Sequence, residues 1–114
     1  MATTRVQCPV FVAEDDDGSV VGFVSVGSRA HGTGETDAYV GELAVAERVQ
    51  RRGVGSALMD AAESWSKEHG FRRLTLETGA ANTVAREFYR SRGYLEEDVR
   101  LSVGLTELPV SPAR

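Results

Sequence analysis

The chain has 114 residues, 41% of them hydrophobic, which fits one compact domain with room for a real core and one site. Its formal charge of -4 argues against broad nucleic-acid binding, which depends on neutralising phosphates, and suits a basic or amine-bearing partner. The single cysteine, Cys8, excludes an internal disulfide, and with two separated histidines, His31 and His69, it offers no metal-ligand spacing. No apolar run is long enough to span a membrane and no charged-then-apolar leader is visible, so the expected setting is the cytoplasm.

In chain order, Val10 to Ala13 and Val20 to Val26 are β-branched or aromatic runs around Asp15, Asp16, Asp17 and Gly18, the composition of a hairpin. Gly27 to Asp37 is polar and Gly-rich, contains His31, and reads as an exposed loop before a strand from Ala38 to Val45. Val54, Ala57, Leu58, Ala61, Ala62 and Trp65 then recur at helical spacing, the strongest helix signal in the chain, which places Trp65 in the core. Gly70 supplies a left-handed stop, and Leu74 and Leu76 alternate in a short strand between Arg72 and Thr78. Strand, helix, strand implies a parallel crossover of right-handed sense. Asn82 can cap a second helix ended by Gly93. Tyr94 to Leu105 returns to strand character through Val99, Leu101 and Val103, and a flexible tail is expected from about residue 107.

The segment Gln50-Arg51-Arg52-Gly53-Val54-Gly55 joins the strand to the first long helix. A helix start has unpaired N–H groups and partial positive charge, so phosphate oxygens bind there when side chains leave the approach clear. Gly53 and Gly55 leave it clear, and Arg51 and Arg52 add charge at the mouth. No Gly-Lys-Ser/Thr ending is present, and Leu58 occupies the place of the third glycine of a dinucleotide fingerprint, so both of those phosphate motifs are excluded. The plain alternative is a turn between strand and helix.

Two motifs together resemble the GNAT superfamily of N-acetyltransferases. The first is Leu43-Ala44-Val45, the turn Ala46 to Val49, and Gln50 to Gly55; the second is N-x-x-A-x-x-F-Y-x-x-x-G-Y, filled by Asn82, Ala85, Phe88, Tyr89, Gly93 and Tyr94. The resemblance implies one α/β domain over residues 1–114, with a mixed, mostly antiparallel sheet, a central parallel strand-helix-strand crossover and splayed strands. It implies acetyl-CoA as cosubstrate, with pantetheine along Leu43, Ala44 and Val45 and pyrophosphate at Gln50, Arg51, Arg52, Gly53, Val54, Gly55 and Ser56. Asn82, Ala85 and Tyr89 would border the same arm, a role compatible with Asn82 as a plain cap.

The implied reaction is direct attack of a primary amine, on a small molecule or peptide, upon the thioester in a ternary complex. An alkyl ammonium has a pKa of about 10, so a carboxylate, directly or through water, must take a proton from it. Glu42 and Glu77 are the candidates, each with the alternative of a solvated strand residue or an ion pair with Arg72 or Arg73. Family members place the base at one or the other position, or at the position held here by Tyr39. A bulge in the strand would alter which face Glu42 presents. By resemblance, the Tyr89 hydroxyl serves the departing CoA sulfur as acid or hydrogen-bond donor, and a backbone N–H near Val45 polarises the carbonyl. The family's usual first strand and two helices, one wall of the acceptor pocket, have no counterpart ahead of the first hairpin. A second subunit of a homodimer, the Gly27 to Asp37 loop or another protein would complete it. The rival reading is a non-catalytic CoA-binding module or partner subunit.

Overall fold

The computed structural model describes residues 8–30 and 34–106, so His31 and the expected tail from 107 lie outside the described residues. Two compact units are present, Met1–Glu77 and Thr78–Arg114. Among the described residues no helix is long and apolar enough to cross a membrane.

In the first unit, β1 (Val10–Glu14), β2 (Val20–Ala30), β3 (Thr36–Val45) and β4 (Leu74–Thr75) form one sheet in the order β1-β2-β3-β4. The first two pairings are antiparallel and β3 with β4 is parallel, reached through helix α1 (Val54–Glu68), as the crossover pattern requires. The acidic turn closes as expected. Asp15 Oδ1 accepts from the N–H groups of Asp17 and Ser19, both at 3.1 Å, and Gly18 adopts φ +85°.

Helix α1 packs on β1, β2 and β3. Val24, Val26, Ala38 and Val40 point into that interface and meet Leu58, Met59, Ala62 and Trp65, all buried. The helical stripe is turned from the expected one: Ala57 is exposed, while Met59 and Ser66 are buried. Positions 58, 59, 62, 65 and 66 form one face centred on Ala62, and Ser66 fits there because its Oγ donates to the Ala62 carbonyl at 2.8 Å. Trp65 is 8% exposed and stacks on His69 and Phe71, in keeping with a packing role.

Two expectations need correction in this unit. Among the described residues the expected Gly27 to Asp37 loop is strand at both ends: β2 runs to Ala30 and β3 starts at Thr36, with Ser28↔Ala38, Arg29↔Asp37 and Ala30↔Thr36 as cross-strand partners. Polar composition there is compatible with strand, since ladder bonds do not require apolar side chains. The strand expected between Arg72 and Thr78 shortens to Leu74 and Thr75, because pairing with β3 stops at Tyr39↔Thr75 while β3 continues to Val45. Past that point the two parallel strands have separated.

In the second unit, α2 (Thr83–Ser91) begins at Asn82, whose side chain accepts from the Ala85 N–H at 3.1 Å. It ends at Gly93, φ +93°, with the Gly93 and Tyr94 N–H groups returned to the carbonyls of Arg90 and Tyr89. Arg86 donates from two nitrogens to the two Glu96 oxygens at 2.7 and 3.1 Å, tying the helix to the segment after it. The expected strand from Tyr94 to Leu105 does not form among the described residues, and Leu95, Val99, Leu101 and Val103 are exposed. Alternation marks which residues would share a face; a strand also needs a neighbour for its N–H and C=O groups.

Candidate functional site

The end of β3 and the start of α1 carry the glycine loop. After Val45 the chain makes a single 3-10 turn, Glu47–Val49, with Val49 buried beneath it. Arg48 is drawn away to Asp15 at 2.9 Å, pinning this turn to the β1–β2 hairpin. Arg51 then adopts φ +68° and Gly53 φ +85°, two left-handed residues that reverse the chain into the helix. A Cβ on Gly53 would meet nothing within 4 Å, so the glycine answers to backbone conformation and leaves the approach open.

The first internal bond of α1 runs from the Ala57 N–H to the Gly53 carbonyl at 3.0 Å. Among the described residues the N–H groups of Gly53, Val54, Gly55 and Ser56 therefore have no backbone acceptor. Arg51 and Arg52 are exposed beside them, and among the described residues neither is held in an ion pair. Gln50 extends its amide to the Val45 carbonyl at 3.5 Å, a long contact. Four aligned donors, a helix start and two free cations suit a pyrophosphate.

Upstream, β3 offers a second feature. From Val40 to Val45 it pairs with β2 on one edge only, so alternate residues turn N–H and C=O outward with no strand to receive them among the described residues. Leu43, Ala44 and Val45 are in this stretch. An open concavity of about 290 Å³ adjoins it, lined by Val20 to Phe23 and by Ala44 to Ala46. An amide-bearing chain can pair with such an edge.

The register of β3 against β2 shifts between Ser25↔Glu42 and Val26↔Val40, leaving Gly41 as an extra residue. This bulge reverses the alternation. Val40, Leu43 and Val45 share the face that meets α1, whereas Tyr39, Glu42 and Ala44 share the opposite one. Glu42 is exposed, and no hydrogen bond or ion pair holds its carboxylate among the described residues. Glu77 is committed differently. Its Oε1 accepts from Arg29 Nη1, and the same guanidinium lies 4.8 Å from the centroid of the Tyr39 ring. Arg73 Nε is 3.7 Å from the buried Asp37 carboxylate. Arg29 had no local signal in the sequence, because 48 residues separate it from Glu77.

Within the second unit, Tyr89 is half-buried against Phe88 and Tyr94, with ring centroids 5.1 and 5.6 Å away. Burial pushes its phenol pKa up from the ordinary value, so the hydroxyl stays protonated at neutral pH and can donate. Asn82 and Ala85 are joined by the cap bond, and Ala85 is only partly exposed.

The comparisons with known proteins agree with this geometry. The model of the acetyltransferase (GNAT) family matches residues 3–94. Streptothricin acetyltransferase A of Bacillus subtilis is 38% identical over 58 residues, covering 51% of this chain and 34% of its own length. Aminoglycoside N(6')-acetyltransferase type 1 of Klebsiella aerogenes is 28% identical over 93 residues, covering 76% of this chain and 59% of its own. The chain thus spans between a third and three fifths of these two relatives. Aminoglycoside N-acetyltransferase AAC(6')-Iy, solved in complex with CoA, superposes with a TM-score of 0.75 at 23% identity, over 88% of this chain and 78% of that one, a likeness of fold. With both motifs on the expected elements and the family model running across most of its length, the chain belongs to the acetyltransferase (GNAT) family.

Proposed function

We propose that the protein is an acetyl-CoA-dependent N-acetyltransferase acting on a primary amine of a small molecule or peptide. The observation that carries this reading is the continuity of the unpaired edge of β3, at Leu43 to Val45, with the donor-rich loop at Gly53 to Ser56. One ligand long enough to use both needs an amide arm and a pyrophosphate, the two halves of CoA. The single family match from 3 to 94 crosses both units and supports reading them as one domain.

Glu42 serves as the base in this mechanism, directly or through one water, because its carboxylate is exposed and uncommitted on the face of Tyr39. It takes the proton from the acceptor ammonium. The freed nitrogen lone pair forms the new bond to the thioester carbonyl carbon, and the carbon–sulfur bond breaks. Tyr89 donates a hydrogen bond or its proton to the departing sulfur, whose ordinary thiol pKa of about 8.5 asks for little help. A backbone N–H near Val45 stabilises the developing oxyanion. Relatives that act on streptothricin and aminoglycosides, both named for it, favour a small cationic acceptor.

Thermal unfolding with and without acetyl-CoA tests the reading. Ligand at 100 times its Kd should add about 2.7 kcal/mol of stability, seen as a raised Tm. No rise at millimolar acetyl-CoA sinks the assignment. A rise without acetyl consumption across amines, aminoglycosides and peptide N-termini favours the non-catalytic CoA-binding module instead.

A further inference from the structure

The face of the sheet opposite α1 carries a cation already bound by the protein itself. Arg29 leaves its cross-strand partner Asp37, whose carboxylate faces Arg73, and reaches instead over the Tyr39 ring to Glu77. An aromatic face and a carboxylate converging on one cation are the two elements that recognise an alkyl ammonium. Glu42 follows Tyr39 on the same face, one pleat repeat along β3, at roughly 7 Å. A cation held over Tyr39 therefore has an uncommitted carboxylate within one side-chain length.

We propose that Arg29 is an internal stand-in for the acceptor: its guanidinium occupies, over Tyr39 and against Glu77, the seat at which a protonated primary amine docks, and acceptor binding displaces it. This rests on the reading of the protein as an amine acetyltransferase and assigns Glu77 to anchoring and Glu42 to proton removal. Displacement is feasible because the side chains of Arg29 and Glu77 are 55% and 50% exposed, where an ion pair is weak and readily exchanged. Arg29 nevertheless fills the seat in the free protein, and its pKa is raised first by the hydrogen bond to Glu77 and then by that carboxylate's charge. Apparent affinity for an external cation is thereby reduced by the fraction of time the seat is taken. An acceptor with several ammonium groups competes better than one with a single group.

Calorimetric titration of the full chain with kanamycin A, a polyammonium probe, without acetyl-CoA, tests this apart from transfer. Arg29→Ala should bind roughly two- to fivefold tighter than wild type. Arg72→Ala, which changes net charge equally at a residue lining a hollow with Glu63, Ser66 and Lys67 of α1, should not. Adding Glu77→Gln or Tyr39→Leu to Arg29→Ala should erase the gain. The proposal is overturned if Arg29→Ala binds no tighter, if Arg72→Ala gains as much, or if the double variants keep the gain. Circular dichroism of each variant establishes that it is folded. Because acetyl-CoA is absent, a failed thermal shift with acetyl-CoA sinks the transferase reading separately.

Discussion

Replacing Gly22 with alanine would put a methyl group where β2, β3 and α1 meet. Its Cβ would stand 2.9 Å from the Ala44 carbonyl oxygen, 3.1 Å from Leu58 Cδ1 and 3.3 Å from Val54 Cγ1. Carbon–oxygen contacts settle near 3.3 Å, so the backbone of β3 must yield by about 0.4 Å, and backbone cannot rotate away as a side chain can. Overpacking of this kind costs about 1–3 kcal/mol, offset by about 0.4–1 kcal/mol from the less flexible unfolded chain. A net loss of about 1–2 kcal/mol corresponds to a Tm lower by roughly 4–8 °C in a domain of this size. Urea unfolding followed by circular dichroism measures it, with Gly79→Ala as control, because a Cβ at Gly79 meets nothing within 4 Å. Acetyl-CoA should also protect Gly22→Ala less than wild type, since Ala44 and Val54 border the two halves of the proposed site. A loss below about 0.5 kcal/mol for Gly22→Ala would refute the packing of α1 on β2 described above.

Gly53→Ala places a side chain in a left-handed residue with open space around it, so stability should fall by about 1–2 kcal/mol through backbone strain alone, together with acetyl-CoA affinity, read by denaturation and calorimetry. Tyr89→Phe should lower turnover roughly ten- to a hundredfold while leaving the KM for acetyl-CoA within a few fold; unchanged turnover excludes the hydroxyl as donor. Glu42→Gln should lower turnover roughly a hundredfold while leaving the KM for acetyl-CoA within a few fold, and unchanged turnover returns the base to Glu77 or to water. The Arg86 hydrogen bond, then the charges of Arg86 and Arg90, hold the Glu96 carboxyl below its ordinary range. Its contribution is complete above the unfolded pKa of about 4.3 and is lost as pH falls through the lower folded value. An NMR titration of Glu96 should show that depressed midpoint moving upward in Arg86→Ala.

What could be read from the sequence was local, or shared through motifs. The Asp-rich turn, the Asn82 cap and the left-handed stops at Gly70 and Gly93 each depend on a few adjacent residues, and all are present in the structure. The order of the two motifs carried the family and the mixed sheet. The cradle at Gly53 to Ser56 was legible because a helix start determines its own unpaired donors.

Tertiary structure decided what depends on partners distant in the chain. The bulge at Gly41 places Glu42 on the face of Tyr39, and no alternation pattern can reveal a one-residue register shift, because register belongs to two strands. Arg29 reaches Glu77 across 48 residues, a pairing no spacing rule contains. The Tyr94 to Leu105 segment has the side chains of a strand and, among the described residues, no neighbour to make it one. A sequence states what each backbone group and side chain can do locally; only the fold assigns the partner.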